Sequence, residues 1–194
     1  MSVLPVRHRV TVDEFERMVE ADVFAPDERL ELIDGEIVDM SPIGSRHQAC
    51  VNRLTRLFAP LTASERAVLQ VQGAVRASEL SQPQPDIALL RPRDDLYEKG
   101  HPNPEDVLLA VEVADSSVRH DRWIKLPLYA TVGVAETWIV DLNGSVVDIA
   151  TDPSPQGYAS LVQARPPDTI WPTAFPDVTI AVAKLLGHAP STPG

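Results

Sequence analysis

The chain has 194 residues, a single cysteine, and 44% hydrophobic against 23% charged residues, a length and composition that suit one domain with a sizeable core. Cys50 alone excludes an internal disulfide and a cysteine zinc cluster; no apolar run reaches ~18 residues and no basic segment leads into a secretory one, so a cytoplasmic location off the membrane is expected. A net charge of −11 argues against strong non-specific nucleic-acid binding, because phosphate repels it. The charge is uneven: residues 13–39 hold eleven acids and two bases, whereas residues 45–60 carry Arg46, Arg53 and Arg56 with no acid. A local basic patch, or cations bound at site acids, therefore stays compatible with a DNA partner.

Thr11 and Glu14 form a capping-box pattern that predicts a helix over 12–21. RLELIDGEIVDM at 29–40 reads as a hairpin turning at Asp34-Gly35. Ser45 opens an amphipathic helix over 45–60, with His47, Cys50, Val51, Leu54, Leu57, Phe58 and Leu61 on its apolar stripe and Pro60 limiting its end. Residues 67–77 alternate like a half-buried strand. DIALL at 86–90 and LLAVEVA at 108–114 read as buried strands, separated by a polar, proline-rich excursion. A helix is expected over 118–131, bent at Pro127, and then a strand at 137–142. Asn143-Gly144 turns the chain into a strand at 146–150. A further strand is expected near 158–163, a short strand or loop around 170–180, a strand and helix at 178–187, and a frayed, disordered tail at 188–194. Trp138, Trp171 and Phe175 read chiefly as core residues. The order predicts one α/β domain over 1–187, a central mixed sheet flanked by helices, with an N-terminal helix and hairpin and a β-rich C-terminal extension. There is no glycine-rich nucleotide loop, Walker lysine or G-x-S-x-G elbow.

Two acids stand out against this pattern. Asp86 follows Pro85 and opens an apolar strand, and Glu112 interrupts the apolar run LLAVEVA. Each has an ordinary reading: a carboxylate capping a backbone amide, and a solvent-facing strand residue. If the two strands are neighbours, the carboxylates approach, repel each other and pay desolvation. A divalent cation resolves both costs, and hard oxygen ligands suit Mg²⁺, with Mn²⁺ as substitute; the Val113 backbone carbonyl can add a third oxygen. Lys125 lies four residues after Asp121, as a surface ion pair or as an ammonium reaching over the sheet edge. His47 reads as a core histidine or a site residue, Glu31 as a solvated strand residue or a site acid, and Tyr129 as core.

The segments LELIDGEIVDMSPIGSRHQACVNRL, QPDIALL and LAVEVADSSVRHDRWIKLPLYATVGVAETWIVD together resemble the Uma-type restriction endonuclease family, also called domain of unknown function 820, of the PD-(D/E)XK nuclease superfamily. The resemblance spans about residues 10–185. It implies a restriction-endonuclease-like core of helix 45–60, strands 68–76, 86–90 and 108–114, helix 120–131 and strand 137–142. Pro85-Asp86 matches the proline–aspartate motif and Glu112 the second acid. Two residues on, where the superfamily places a lysine, stands Ala114, and Lys125 in DRWIK matches the helical lysine that takes its place. Glu31 and His47 match the family's glutamate and histidine. EVADSSV departs from the usual segment in lacking its proline. The resemblance implies Mg²⁺-dependent hydrolysis of DNA phosphodiester bonds, with Asp86 and Glu112 on the metal, Lys125 at the attacking water and Asp121 in support, and it implies a homodimer. Two rival readings keep the fold and change the function: a catalytically weak or inactive binding protein, and a metal-dependent hydrolase of a small phosphorylated substrate.

Overall fold

The structure, a computed structural model, describes residues 7–187; the tail expected at 188–194 lies outside the described residues. The chain runs α1 (Val12–Glu20), β1 (Leu30–Ile33), β2 (Glu36–Asp39), α2 (Ser45–Ala63), β3 (Val68–Val71), β4 (Ile87–Leu90) and β5 (Val107–Ala114). A helical segment follows in three parts: α3 (Val118–His120), a π-helical turn at Asp121–Lys125, and α4 (Leu126–Thr131). Then come β6 (Glu136–Asp141), β7 (Val146–Ser154), β8 (Gly157–Ala164), β9 (Thr169–Ile170), β10 (Ile180–Ala181) and α5 (Val182–Leu186).

Six strands form the central sheet in the order β3-β4-β5-β6-β7-β8. β5 and β6 are parallel and every other neighbouring pair is antiparallel. A parallel pair needs a long crossover, which α3, the π turn and α4 supply. Side-chain alternation along β4 and β5 then sorts the two faces. Ile87, Leu89, Val111 and Val113 pack with Cys50, Val51, Leu54, Phe58 and Leu61 of α2. Ala88, Leu90 and Ala110 pack with Tyr129 of α4. Glu112 falls on the Ala110 face, so alternation directs it toward α4. Desolvation pushes the buried Cys50 thiol up to about 11, as expected of a small apolar core residue rather than a reactive one.

The N-terminal hairpin closes as the sequence predicts, with Asp34 and Gly35 both at positive φ. Thr11 and Glu14 exchange hydrogen bonds in the expected capping box. The hairpin does not join the central sheet. It docks on the loop before β4, where Gln82 N donates to the Leu32 carbonyl at 2.7 Å and Gln84 Nε2 to the Leu30 carbonyl at 2.8 Å.

Three expectations change. α2 continues through Pro60 to Ala63; Pro60 and Arg56, whose carbonyl loses its helical donor, are both on the exposed side, and Leu61 still anchors the last turn in the core. The strand expected at 67–77 stops at Val71, because Gln72 turns left-handed (φ 51°) and Val75 N and Arg76 N donate to Pro83 and Pro102 instead of to a strand. Trp138 and Phe175 are core residues, but Trp171 is 50% exposed, since it lies just past the two-residue β9 rather than in a strand facing the core.

Candidate active site

The ladder between β4 and β5 pairs Ile87 with Val111, so the next step places Asp86 across from Glu112 at the end of the sheet. Pro85 keeps the approach extended. Asp86 is 6% exposed and well supplied with donors. Its Oδ2 accepts from the Val113 N–H at 2.9 Å and lies 2.9 Å from His47 Nε2, and its Oδ1 accepts from Gln72 Nε2 at 3.2 Å. His47 reaches it from the first turn of α2, on the apolar stripe, and its Nδ1 is buried without a partner. Gln72 reaches it because the left-handed turn that ends β3 redirects the chain.

Glu112 is buried and faces α4 as alternation requires. Its Oε1 accepts from the Tyr129 hydroxyl at 2.7 Å and lies 3.2 Å from Lys125 Nζ. Lys125 Nζ also lies 2.9 Å from Glu31 Oε2. Glu31 is fixed from the other side by the Gln84 N–H at 3.2 Å, a consequence of the hairpin docking on that loop. Lys125 and Asp121 are each 3% exposed, so the surface ion pair is excluded. The π turn widens the helix by one residue and sends both side chains inward, just before Pro127, which could not have donated to an α ladder. Asp121 accepts instead from the Ser117 hydroxyl at 2.7 Å.

The electrostatics follow from this packing. Burial, opposed by Lys125 but joined by the charges of Asp121, Asp86 and Glu31, holds the Glu112 carboxyl well above its ordinary value. Burial likewise raises Asp121 against the Ser117 hydroxyl and Lys125. Glu31 goes the other way: burial raises it, but His120, Lys125 and the Gln84 N–H outweigh burial and hold it below the usual value. Burial alone would lower Lys125, but Glu112, Glu31 and Asp121 outweigh it, and the ammonium stays charged. Glu31 is thus the anionic partner of Lys125, and Glu112 is the acid left under-compensated.

Asp86, Glu112, Val113, Lys125, Glu31, His47 and Asp121 all line one cleft of about 550 Å³ at this end of the sheet. Four residues that the sequence reading did not assign to the site join them. Gln72 and Gln84 gave no signal, because their role depends on loop paths. Ser117 was visible as a hydroxyl four residues before Asp121. His120 lines the cleft with Nε2 3.7 Å from Glu31 Oε1. Tyr129 is core, as expected, and also a donor to Glu112. Beside the cleft, Arg122 ties the helical segment to the sheet through Asp148 at 2.6 Å and Asp141 at 3.3 Å. Among the described residues no helix is long and apolar enough to cross a membrane.

No curated protein matches the chain. A solved structure from Anabaena variabilis ATCC 29413, described as "a putative nuclease belonging to DUF820", is similar to it with a TM-score of 0.71, covering 92% of this chain and 98% of its own at 14% identity. At that identity the likeness establishes the fold, a nuclease fold built on the same mixed α/β plan. The model of the Uma2 family, described as "Putative restriction endonuclease", matches residues 12–183. With nearly all of its length matched, the chain belongs to the Uma2 family.

Proposed function

We propose that this protein is a divalent-cation-dependent endonuclease that hydrolyses DNA phosphodiester bonds, with Asp86, Glu112 and Lys125 at its centre. One observation carries the reading: six carboxylates, Glu31, Asp39, Asp86, Glu112, Asp115 and Asp121, line a single cleft against three permanent cations, Lys125, Arg29 and Arg119, and of these Lys125 contacts both Glu31 and Glu112. Among the described residues no ready cage of three or more His, Cys, Asp or Glu ligands stands in place. The fit to a cation rests on charge and donor type: the cleft has more acids than bases, and its acids are hard oxygen donors. Asp86, Glu112 and the Val113 carbonyl would hold it, with Mg²⁺ the expected ion and Mn²⁺ its substitute. When bound, such a cation polarises the phosphate and acidifies a water.

The protein's own groups do the rest. His47, Gln72 and the Val113 N–H orient Asp86. Tyr129 and Lys125 orient Glu112. Lys125, kept charged, offsets negative charge developing on the phosphate and is no proton acceptor. Arg29 and Arg119 line the same cleft and extend positive charge along its wall for flanking phosphates. A homodimer would give each strand of a duplex its own site. A second reading draws on Asp86, whose oxygens are already served by three protein donors: a nuclease-fold binding protein in which that acid is structural.

Cleavage of supercoiled plasmid by the purified protein with Mg²⁺ or Mn²⁺, against Asp86→Ala and Glu112→Ala, separates these readings. The nuclease reading expects EDTA-sensitive nicking that falls by at least about 10²-fold in both variants, on the scale of lost transition-state stabilisation. An Asp86→Ala protein that cuts as well as its parent would sink it, and binding of the plasmid without any cutting would favour the second reading.

A further inference from the structure

Hydrolysis of a phosphodiester needs a proton acceptor for the attacking water, and the cleft restricts which side chain can serve. Lys125 is buried, with Nζ engaged by Glu31 at 2.9 Å and Glu112 at 3.2 Å. His47 has one ring nitrogen against Asp86 at 2.9 Å and the other sealed in the protein without a partner. Neither can receive a proton from a substrate in the cleft. His120 differs. Its side chain is 35% exposed and lines the cleft, while its Nε2 is shut away from solvent, without a hydrogen bond, 3.7 Å from Glu31 Oε1. Glu31 itself is anchored by Lys125 and the Gln84 N–H, so the carboxylate that faces the ring cannot swing away.

We infer that His120 is the general base of this site and Glu31 its orienting acid. The inference rests on the nuclease reading above. Glu31 can only accept, so the hydrogen of a neutral ring belongs on Nε2 and Nδ1, which is not the sealed nitrogen of this cleft-lining ring, is left with a free lone pair. The water's proton passes to Nδ1 as its oxygen bonds to phosphorus. The P–O3′ bond breaks, and the leaving oxygen takes a proton from solvent. The imidazolium formed is stabilised by Glu31, across a gap that closes from 3.7 Å to a charge-assisted hydrogen bond. Besides Asp86 and Glu112, Lys125, Asp121, Arg29, Arg119, Asp39 and Asp115 are the other charged groups of the cleft; Lys125 offsets the Glu31 charge and Asp121 is tied to Ser117.

Three measurements on the whole 194-residue chain test this. Nitrogen-15 NMR of the unaltered protein reports the tautomer without any turnover: an Nε2–H, bare-Nδ1 ring is expected, and an Nδ1–H ring overturns the assignment. In single-turnover cleavage with Mn²⁺, His120→Gln should lose about 10²–10⁴-fold and flatten the rise of rate with pH, while His120→Ala should be partly rescued by added imidazole. Full activity and an unchanged pH profile in His120→Gln overturn the proposal while leaving the nuclease reading intact. Mn²⁺ affinity by calorimetry should match the parent in His120→Gln; a tenfold loss would make His120 a ligand and not a base. A parent protein that cuts no DNA removes the nuclease reading and this base with it, and the tautomer then reports only whether Glu31 orients the ring.

Discussion

Lys125 Nζ stands 3.2 Å from Glu112 Oε1, although one side chain comes from a helix and the other from the middle of the sheet. The superfamily resemblance places a lysine two residues after the second acid, where this chain has Ala114. Ala114 is buried, on the same face as Glu112, and the ammonium that contacts Glu112 comes from the π turn instead. The same contact makes Lys125 a structural residue as well as a site residue.

Replacing Lys125 by Met keeps most of the side-chain volume and removes the charge. Glu31 is then left buried and unpaired, which costs about 3–5 kcal/mol when one member of a buried pair is deleted. Lys125→Met is therefore expected to lower the urea midpoint markedly. A second change, Glu31→Gln, should restore part of the loss, because it removes the charge that Lys125 had balanced. A double variant no more stable than Lys125→Met would show that the ammonium and Glu31 are not energetically coupled.

Glu112 gives the stability a definite dependence on pH. Its folded value lies well above the ordinary 4.5. Between those two values the folded chain keeps a proton that the unfolded chain has released. The contribution is thus complete below about pH 4.5 and is lost as pH rises toward the folded value, at up to about 1.4 kcal/mol per pH unit. Glu112→Gln cannot titrate, and its amide oxygen still accepts from Tyr129. Thermal melts should show the variant gaining on its parent as pH rises from 4.5 and then levelling off. A difference that is flat across that range, or that shrinks, contradicts the raised carboxyl.

The Tyr129 hydroxyl donates to Glu112 from a fully buried ring. Tyr129→Phe leaves the packing and deletes one hydrogen bond to a group that needs it. The expected cost is about 1–3 kcal/mol, the range for orphaning a buried polar partner. Calorimetry with Mn²⁺ should also show weaker binding, because Glu112 is no longer aimed. Unchanged stability together with unchanged affinity would return Tyr129 to a purely apolar role.

Much of this was legible because periodicity and turn chemistry agree with the final packing. The stripe on α2, the Asp34-Gly35 turn, the capping box at Thr11 and the continuous burial of β4 and β5 all follow from local sequence. Asp86 and Glu112 stood out because each is a carboxylate set in an apolar strand. What stayed hidden depends on pairings between distant segments. Glu31 was singled out by the family resemblance, but its pattern alone made it one acid among many, and its contact with Lys125 depends on the hairpin docking on the loop at 80–84. Gln72 turned toward Asp86 only through its left-handed backbone. The π turn was invisible because a 3.6-residue reading of DRWIK puts Lys125 on the Asp121 face at the surface. His120 escaped notice because its partner, Glu31, comes from the hairpin at the other end of the fold.

His47 offers a way to weaken the proposed cation site while sparing the fold. It contacts Asp86 at 2.9 Å, and the Val113 N–H and Gln72 would still satisfy that carboxylate in its absence. Its own Nδ1 is buried without a partner, so the ring is held at some cost that a smaller residue does not bear. His47→Ala should therefore change the melting temperature little. Its effect should fall on Asp86, whose orientation toward the cleft loses one of three restraints. Partners that orient a metal-binding carboxylate typically contribute about 10–100-fold in affinity. A calorimetric Mn²⁺ titration of His47→Ala should show a loss in that range at nearly constant stability. The reverse pattern, with unchanged affinity and a large drop in stability, would assign His47 to the core alone.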